Sequence, residues 1–447
     1  MTVGFELGIE GGELVTPHGR GRLHVYIADG VVTALSAERL PAAEVVDASG
    51  LLVLPGMVDA HVHFMDPGDL SREDFPTGTA AALRSGVTTV IEHTHARPVI
   101  TAADLAEKAD HLASRSRVDF ALGAHAWPDR LEAVPEVWQA GAAFVKAFTC
   151  TTHGVPGFST HALKLLFETA AAAGALCLLH CEDEVLTGQA ERVLREAGRT
   201  DNGIIPLWRH RDAELTALAA AAILARSAGA RAIAAHVSNP AALDAAVGLL
   251  IESCPQYLYL LEREVLEQGP FRKFTPPARA RSGAELEAMW GAVASGAIDY
   301  VSSDHAPSTR AQKHAGSIWD VHFGLPGIDT TFSALLTGAH RGALSYERVA
   351  EVYSESPARI YGLWPAKGRL APGADADVVL VDPQARWTVA DEDVVSKAGW
   401  SPFAGRTLVG RTVRTYVRGT LAMHDGDVLA EPGRGRFLRR NARQVRQ

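Results

Sequence analysis

The chain has 447 residues, of which 47% are hydrophobic and 21% are charged, so it can bury a large core. Its formal net charge of −9 argues against a general nucleic-acid-binding protein, which would carry excess positive charge.

The four cysteines, the N-terminal residues and the lack of long apolar runs predict a cytoplasmic protein. No C-x-x-C pair occurs, and Cys177 and Cys254 lie in apolar runs typical of small buried side chains, as in a reducing compartment. The first residues, "MTVGFELGIEGGELV", lack a signal-peptide pattern, and no apolar run has the length of a membrane span.

The arginines of the last residues, "GRGRFLRRNARQVRQ", predict a solvated tail.

The first predicted elements are short strands with alternating polarity, such as "GRLHVYIADGVVTALSA". Similar strands, "KGRLAPGADADVVLVDP" and "VRTYVRGTLAMHDGDVLA", return near the other end, separated by turn residues. Neither group alone is sufficient for a stable sandwich. We therefore expect residues 1–55 and 365–447 to form one small β-sandwich domain, with residues 56–364 inserted as a second domain.

Strands and helices alternate through residues 56–364. Eight apolar runs predict strands: "LLVLPGMVDAHV", "GVTTVIEH", "VDFALGAHAW", "AAFVKAFT", "ALCLLHCE", "RAIAAHVS", "GLLIESCP" and "AIDYVSSDH". Helical segments between them, such as "THALKLLFETAAAAG", often end in glycine. The alternation predicts an α/β fold, a (β/α)8 barrel. An open doubly wound sheet is the alternative, but its Gly-rich phosphate loop is missing.

Polar residues occur where the predicted strands end. In a barrel of this kind the carboxyl ends of all strands face one site, so these residues would meet there. They are His61, His63, Lys146, His180, His236 and Asp304. A lone histidine at a strand end is usually structural, but six polar residues at matching positions favour a shared function.

Imidazole and carboxylate groups together predict a metal site, with zinc as the first choice and manganese, cobalt or iron as alternatives. The candidates exceed the four ligands that one ion needs, so two divalent ions are expected. Lys146 lies in an apolar strand, where an unpaired ammonium is costly to bury. It therefore needs a partner or a reaction that changes its charge.

The chain resembles the amidohydrolase superfamily, in the cyclic amidohydrolase branch that holds hydantoinases (dihydropyrimidinases), allantoinases and dihydroorotases. The resemblance covers nearly the whole chain. It lies in segments such as "GMVDAHVH", "FVKAF", "LLHCEDE", "HVSNP", "ESCPQYL", "TPPAR", "GAIDYVSSDHAP", "GLPGID" and "KGRLAPGADADVVLVD".

The resemblance implies a mechanism and a set of roles. His61, His63 and Asp304 would hold the more buried ion, His180 and His236 the other, and Lys146, carboxylated by CO2, would bridge them. A hydroxide shared by the two ions would open a cyclic amide or ureide ring, and Asp304 would carry its proton to the leaving nitrogen. A small-molecule substrate and a homo-oligomer, a dimer or tetramer, are implied as well.

Departures within this branch bear on the substrate. Phe64 and Met65 stand where dihydroorotases carry an arginine that binds the substrate's carboxylate. We therefore expect a substrate with a neutral ring, and dihydroorotase activity is the alternative. The nearest cationic residues in the sequence are Arg72 and Arg97. Thr151 replaces a tyrosine of many hydantoinases, and the C-terminal segment resembles allantoinases and L-type hydantoinases. Further candidates for substrate contact are His93, His95, His125, His153, Thr275 and Gly324.

A different class of function also fits the fold. Some relatives keep the barrel as non-catalytic scaffold proteins, but these typically lose the metal ligands. All six ligand candidates are present in this sequence, which favours an enzyme.

Overall fold

A computed structural model describes residues 4–93 and 95–441 of the chain. Parallel strands alternating with helices occupy the central part, and mostly antiparallel strands come from the two ends. The α/β class predicted from the sequence is confirmed by these elements.

Seven strands precede the central part: β1 Phe5–Glu10, β2 Glu13–Thr16, β3 Gly19–Gly21, β4 His24–Ala28, β5 Val31–Ser36, β6 Ala42–Asp47 and β7 Leu52–Pro55. Four strands follow it: β17 Val378–Thr388, β18 Thr407–Val417, β19 Thr420–His424 and β20 Asp427–Val428. One sheet has the order β5-β4-β1-β6, and a seven-stranded sheet has the order β20-β19-β18-β17-β7-β2-β3.

Strands from both ends of the chain meet in the seven-stranded sheet. β17 pairs antiparallel with β7, where Val379 lies opposite Leu54. A buried apolar cluster includes Ile9 and Val25 from the four-stranded sheet together with Val53 and Leu380 from the seven-stranded sheet. The two sheets are thus held together by burial of their facing side chains.

The central elements follow one another in chain order. The strands are β8 Met57–Val62, β9 Val87–Glu92, β10 Asp119–Leu122, β11 Ala124–His125, β12 Val145–Phe148, β13 Leu176–His180, β14 Arg231–Ala234, β15 Leu250–Ser253 and β16 Tyr300–Val301. The helices are α1 Phe75–Ser85, α2 Ala102–Ala113, α3 Ala133–Gln139, α4 Thr160–Ala173, α5 Glu184–Glu196, α6 Ile204–Trp208, α7 Arg211–Ala228, α8 Pro240–Ala245, α9 Pro255–Tyr259, α10 Glu264–Gln268, α11 Gly283–Ser295, α12 Arg310–Lys313, α13 Thr331–His340, α14 Tyr346–Ala350 and α15 Ser356–Ile360. Each of the eight runs predicted as strands contains a strand.

The central strands form two parallel sheets, ordered β10-β9-β8 and β11-β12-β13-β14-β15-β16. Gly123 separates β10 from β11, and main-chain bonds from Gly123 to Glu92 and from Ala124 to Phe144 connect the two sheets there. At the other end, the main-chain N–H of His63 donates to His305 O at 2.8 Å. The carboxyl ends of β8 and β16 are thereby held next to each other.

Glycine ends four of the long helices, as the sequence predicts. Gly86, Gly174, Gly229 and Gly296 cap α1, α4, α7 and α11 in the left-handed conformation, with φ values of 91°, 66°, 66° and 87°. Glycine adopts this conformation without the steric cost that a Cβ brings. Each helix therefore ends at a defined residue, and the chain turns directly toward the next strand.

The predicted solvated tail is wrong for residues 433–441. Phe120 N donates to Arg436 O at 2.9 Å, and Leu438 N donates to Phe120 O at 2.7 Å. The Phe437 ring packs 5.6 Å from the Phe120 ring, and the Arg440 guanidinium lies 3.5 Å from the centre of the Trp138 ring. The segment thus covers the free edge of β10; the arginine-rich sequence conceals Phe437 and Leu438, which supply the apolar contact. Residues 442–447 lie outside the described residues.

The sequence features used to predict the cellular compartment are the cysteines and the lack of a membrane-spanning segment. All four cysteines are buried and unpaired. Within residues 4–93 and 95–441, no helix combines the length and the apolar character that crossing a bilayer requires.

A buried ionic cluster joins the central strands to the C-terminal part. The Lys367 ammonium lies 2.6 Å from an oxygen of Asp119, which begins β10, and 2.7 Å from one of Asp377, next to β17. Asp375 lies 2.9 Å away. Lys367 is 2% exposed, so its charge is neutralised by these carboxylates rather than by water.

We predict that Lys367→Met lowers the thermal unfolding temperature strongly. Removal of one partner of a buried ion pair leaves uncompensated charge and costs about 3–5 kcal/mol. The matched control is Lys164→Met, because Lys164 pairs with Glu168 on the exposed face of α4. Equal unfolding temperatures for the two variants, measured by differential scanning calorimetry, would contradict this role of the cluster.

Candidate metal centre and active site

All six residues predicted at the strand ends line one cavity of about 290 Å³. His61, Lys146 and His180 lie in β8, β12 and β13. His63 follows β8, His236 follows β14, and Asp304 follows β16. The parallel strands therefore bring together residues that are up to 243 positions apart in the sequence (304 − 61).

The first group in the cavity consists of His61, His63 and Asp304. An Asp304 carboxylate oxygen, Oδ1, lies 3.2 Å from His61 Nε2 and 3.5 Å from His63 Nε2. Two ligand atoms bound to one tetrahedral zinc ion at 2.0–2.1 Å lie roughly 3.3 Å apart. The spacing of these three atoms therefore fits a common ion.

The other ring nitrogens of these histidines are held by acceptors. His61 Nδ1 donates to the Glu252 carboxylate at 2.9 Å, and His63 Nδ1 donates to the main-chain oxygen of His93 at 3.0 Å. A proton on Nδ1 leaves the lone pair on Nε2 of the neutral ring, which is the form that binds metal. Both rings are therefore oriented as ligands.

The second group consists of His180 and His236. His180 Nδ1 lies 3.1 Å from His236 Nε2, again close to the spacing of two ligands on one ion. His180 Nε2 donates to Glu182 at 2.9 Å, which leaves the lone pair on Nδ1. His236 Nδ1 is buried and has no hydrogen-bond partner among the described residues.

Lys146 is buried, 1% exposed, and no described residue forms a hydrogen bond with its Nζ. Burial lowers the pKa of the Lys146 ammonium to about 8, although the Glu252 and Asp304 carboxylates oppose the shift. Burial and then the Lys146 charge also lower the pKa of His61 and of His236. Lys146 lines the same cavity as both groups, so its side chain lies near both of them.

Backbone strain is concentrated at the same cavity. Of seven described non-glycine residues with positive φ, four line it: Met65, His153, His236 and Asp304. The left-handed region is unfavourable for residues with a side chain, so it persists only where the surrounding structure imposes it. Its occurrence at two of the six strand-end residues indicates that ligand placement takes precedence over local backbone preference.

A second set of potential ligand atoms, on Cys150, His180 and Glu182, is less suited to a metal. Arg209 donates to both the Cys150 sulfur and Glu182, and Arg279 donates to Glu182 at 2.6 Å. A cation placed there would face two guanidinium groups. The two groups around Lys146 are therefore the better fit for divalent ions.

The predicted substrate contacts divide between the cavity wall and other positions. His95, His153, Thr275 and Gly324 line the cavity. Gly324 has φ +121°, and a Cβ there would lie 2.2 Å from Ala306 O, so only glycine fits this approach.

The remaining candidates for substrate contact do not line the cavity. His93 is fully buried, with its ring centre 4.4 Å from those of His61 and His63. His125 Nε2 lies 3.1 Å from His95 Nδ1, so it supports a wall residue. Thr151 is exposed, its hydroxyl accepts from Gly157 N at 3.2 Å, and it does not line the cavity.

The two cations considered in the sequence lie in different environments. Arg97 is on the surface and pairs with Glu107, whereas Arg72 is buried and lines the cavity. The expectation of a neutral substrate depended on the apolar residues Phe64 and Met65 at the position where dihydroorotases carry an arginine. The sequence left the fold of the two loops that carry Arg72 and Arg97 open, and the loop after β8 brings Arg72 to the cavity wall seven residues after Met65 (72 − 65).

Two acidic residues that orient the histidines were not singled out from the sequence. Glu252 accepts from His61 and also from the Ser302 hydroxyl and His236 N. The sequence feature that could have revealed Glu252 is its position as an acidic residue inside the apolar run "GLLIESCP". Glu182 was visible two residues after His180, but its partners Arg209 and Arg279 come from distant segments.

Comparison with known proteins is consistent with this geometry. The profile of the Amidohydrolase family matches residues 52–422. A dihydroorotase of Halobacterium salinarum is 36% identical over 427 residues, covering 93% of this chain and 94% of that protein. An allantoinase of Rubrobacter xylanophilus is 35% identical over 452 residues, covering 97% and 98%.

The fold is similar to that of a solved relative. The structure of the L-hydantoinase (dihydropyrimidinase) from Arthrobacter aurescens superposes with a TM-score of 0.92 at 32% identity, covering 98% of this chain and 100% of that one. The resemblance to cyclic amidohydrolases seen in the sequence is confirmed. The chain belongs to the amidohydrolase family and is a hydrolase.

Proposed function

We propose that this hydrolase opens the ring of a cyclic amide or ureide, as hydantoinases and allantoinases do. The observation that carries the proposal is the cavity, in which two groups of oriented ligand atoms flank a buried lysine without a hydrogen-bond partner. A volume of about 290 Å³ suits a small heterocycle. The named activities of the relatives point to the same class of reaction.

We assign two divalent ions, Zn²⁺ in the first instance, to the two groups. His61, His63 and Asp304 would hold one ion, and His180 and His236 the other. Carboxylated Lys146 would join both, because a carbamate changes a buried cation into an anion with two ligand oxygens. Bound ions of this kind polarise a carbonyl group and lower the pKa of water.

The protein's own groups would orient the substrate and move the proton. Asp304 is 13% exposed at the side chain and borders the cavity, so it can accept a proton from the attacking water and return it to the leaving nitrogen. The backbone at Thr275 and Gly324 would hold the ring. His95, positioned by His125, would contact a polar group of the substrate, and His93 would support His61 and His63.

We also propose how the sheets combine into domains. The two parallel sheets would act as one (β/α)8 barrel over residues 56–364, with β10 and β11 as its third strand. Residues 1–55 and 365–447 would form a small β-sandwich domain. The main-chain bonds at Gly123 and His63 and the apolar cluster between the terminal sheets support this division.

The location and assembly of the protein are proposed on similar grounds. Four buried, unpaired cysteines support the cytoplasm. A homo-oligomer, a dimer or tetramer, is proposed from the resemblance to cyclic amidohydrolases.

We expect the zinc-loaded protein to open at least one ring in a panel of hydantoin, 5-substituted hydantoins, dihydrouracil, allantoin and dihydroorotate. Loss of ring absorbance and chromatography of the open product measure the reaction. The metal-stripped protein is the control. Absence of turnover on every ring by protein with two bound ions would refute the proposed function.

Lys146→Ala should lose bound metal and nearly all activity, because the ligand that joins the two groups is removed. Elemental analysis gives the metal content, and Lys164→Ala, an exposed lysine, is the control. In ¹³C-bicarbonate, the wild type should show a carbamate signal by NMR that the variant lacks. Two ions and normal turnover in Lys146→Ala would contradict the assignment.

Asp304→Asn should keep the fold and lose most turnover. An amide oxygen can still bind a metal, but it cannot carry a proton at neutral pH, and such catalysis contributes roughly 10²–10⁴-fold. Steady-state kinetics at measured metal content give the effect. Asp110→Asn, exposed on α2, is the control. A rate within a few-fold of the wild type would remove Asp304 from this role.

A further inference from the structure

Arg72 forms part of the cavity wall beside the proposed catalytic aspartate. Its Nε donates to the main-chain oxygen of Pro307 at 2.9 Å, and its Nη2 approaches Phe323 O at 3.5 Å. Pro307 lies three residues after Asp304. The guanidinium is thus fixed between the loop after β8 and the loop after β16, at the side of the cavity that holds Asp304.

Arg72 is 8% exposed, yet no described residue forms an ion pair with it. The other buried arginines near the site do form ion pairs with carboxylates. Arg209 pairs with Glu182, and Arg279 pairs with both Glu182 and Glu214. Burying an unpaired guanidinium is unfavourable. Among these three buried arginines, Arg72 is the one without a carboxylate partner, and this difference calls for an explanation.

Two buried lysines lie behind this part of the wall, and neither lines the cavity itself. Lys273 Nζ donates to the main-chain oxygens of Trp319 and Val321, and Lys313 Nζ donates to those of Lys273 and His322. Neither lysine forms an ion pair within the described part of the chain. Burial lowers the pKa of Lys313 well below its usual value, that of Lys273 to about 8 and that of Arg72 to about 10, so the positive charge is retained best by Arg72.

One carboxylate, Asp69, lies on the same part of the wall. Its Oδ1 accepts from Ser71 N at 3.3 Å and from the Ser71 hydroxyl at 2.5 Å, and it remains beyond ion-pair distance of Arg72. Asp69 and Asp304 both line the cavity with Arg72, yet neither forms an ion pair with it. The Arg72 guanidinium therefore borders the substrate space without a carboxylate partner among the described residues.

We propose that Arg72 is the specificity-determining residue of this site and that it binds a carboxylate on the substrate. The inference rests on the proposed ring-opening function and narrows it to cyclic amides or ureides with an anionic substituent. A carboxylate would supply the missing counter-charge and match the planar guanidinium, whose Nη1 has no partner among the described residues. The loop carbonyls hold the guanidinium in place before the substrate arrives.

The test compares substrates that differ only in charge. Hydantoin-5-acetate is paired with hydantoin-5-acetamide, and dihydroorotate with its carboxamide. The wild type should favour the carboxylate in at least one pair, by kcat/KM. In Arg72→Met this carboxylate-to-amide ratio should fall by roughly 30-fold or more, since truncating one partner of a buried charge pair costs at least that factor.

Two further variants separate charge recognition from loop placement. Arg72→Lys keeps the charge and should retain part of the ratio, whereas Arg97→Met, the exposed arginine, should leave it at the wild-type value. A displaced loop alone would lower both members of a pair together and leave the ratio intact. That result would overturn the inference.

The wild-type measurement stands even if the Arg72 variants do not fold. Faster turnover of the amide in both pairs would overturn the role of Arg72 and leave the ring-opening function standing. Absence of turnover for every member, with two ions bound, would instead refute the proposed function itself.

Discussion

The buried ammonium of Lys146 is the constraint on which the candidate site depends. Four histidines surround it at a depth where water cannot neutralise charge, and burial lowers the pKa of His61, His180 and His236, which favours their neutral rings. Burial and the lysine charge act in the same direction on His61 and His236. The same burial leaves the lysine without a hydrogen-bond partner. An environment that keeps imidazoles ready for metal is therefore also one in which an unmodified lysine is unfavourable.

Two glutamates orient these rings from different electrostatic environments. Burial would raise the pKa of Glu182, but Arg209 and Arg279 outweigh it and hold the pKa well below its usual range. Burial raises the pKa of Glu252 to about 8, with only the Lys146 ammonium as a major opposing charge. The glutamate behind His180 is therefore compensated by two guanidinium groups, whereas the glutamate behind His61 has no arginine partner among the described residues. The two ligand groups are unequal even though their nitrogen and oxygen spacings are similar.

Periodicity and strand-end chemistry predict much of this molecule from sequence. Eight apolar runs contain the central strands, and Gly86, Gly174, Gly229 and Gly296 end helices as expected. The strand-end residues meet because parallel strands point their carboxyl ends the same way. The sequence does not specify loop geometry: Arg72 and Thr151 both lie in loops, and no pattern in the sequence says that one loop returns to the cavity while the other leaves Thr151 exposed. The tail fails for another reason, since two apolar residues among arginines were sufficient to cover a strand edge.

The seven-stranded sheet has a consequence for the order in which the protein is completed. β2 and β7 leave the ribosome more than 300 residues before β17, the strand that pairs with β7 (378 − 55 = 323). Until then the early strands have an unpaired edge, and β10 likewise waits for residues 433–441. Contacts between such distant residues form slowly, and exposed edges are prone to association. A nascent chain released before Val378 would therefore have a nearly complete catalytic part and two uncovered strand edges.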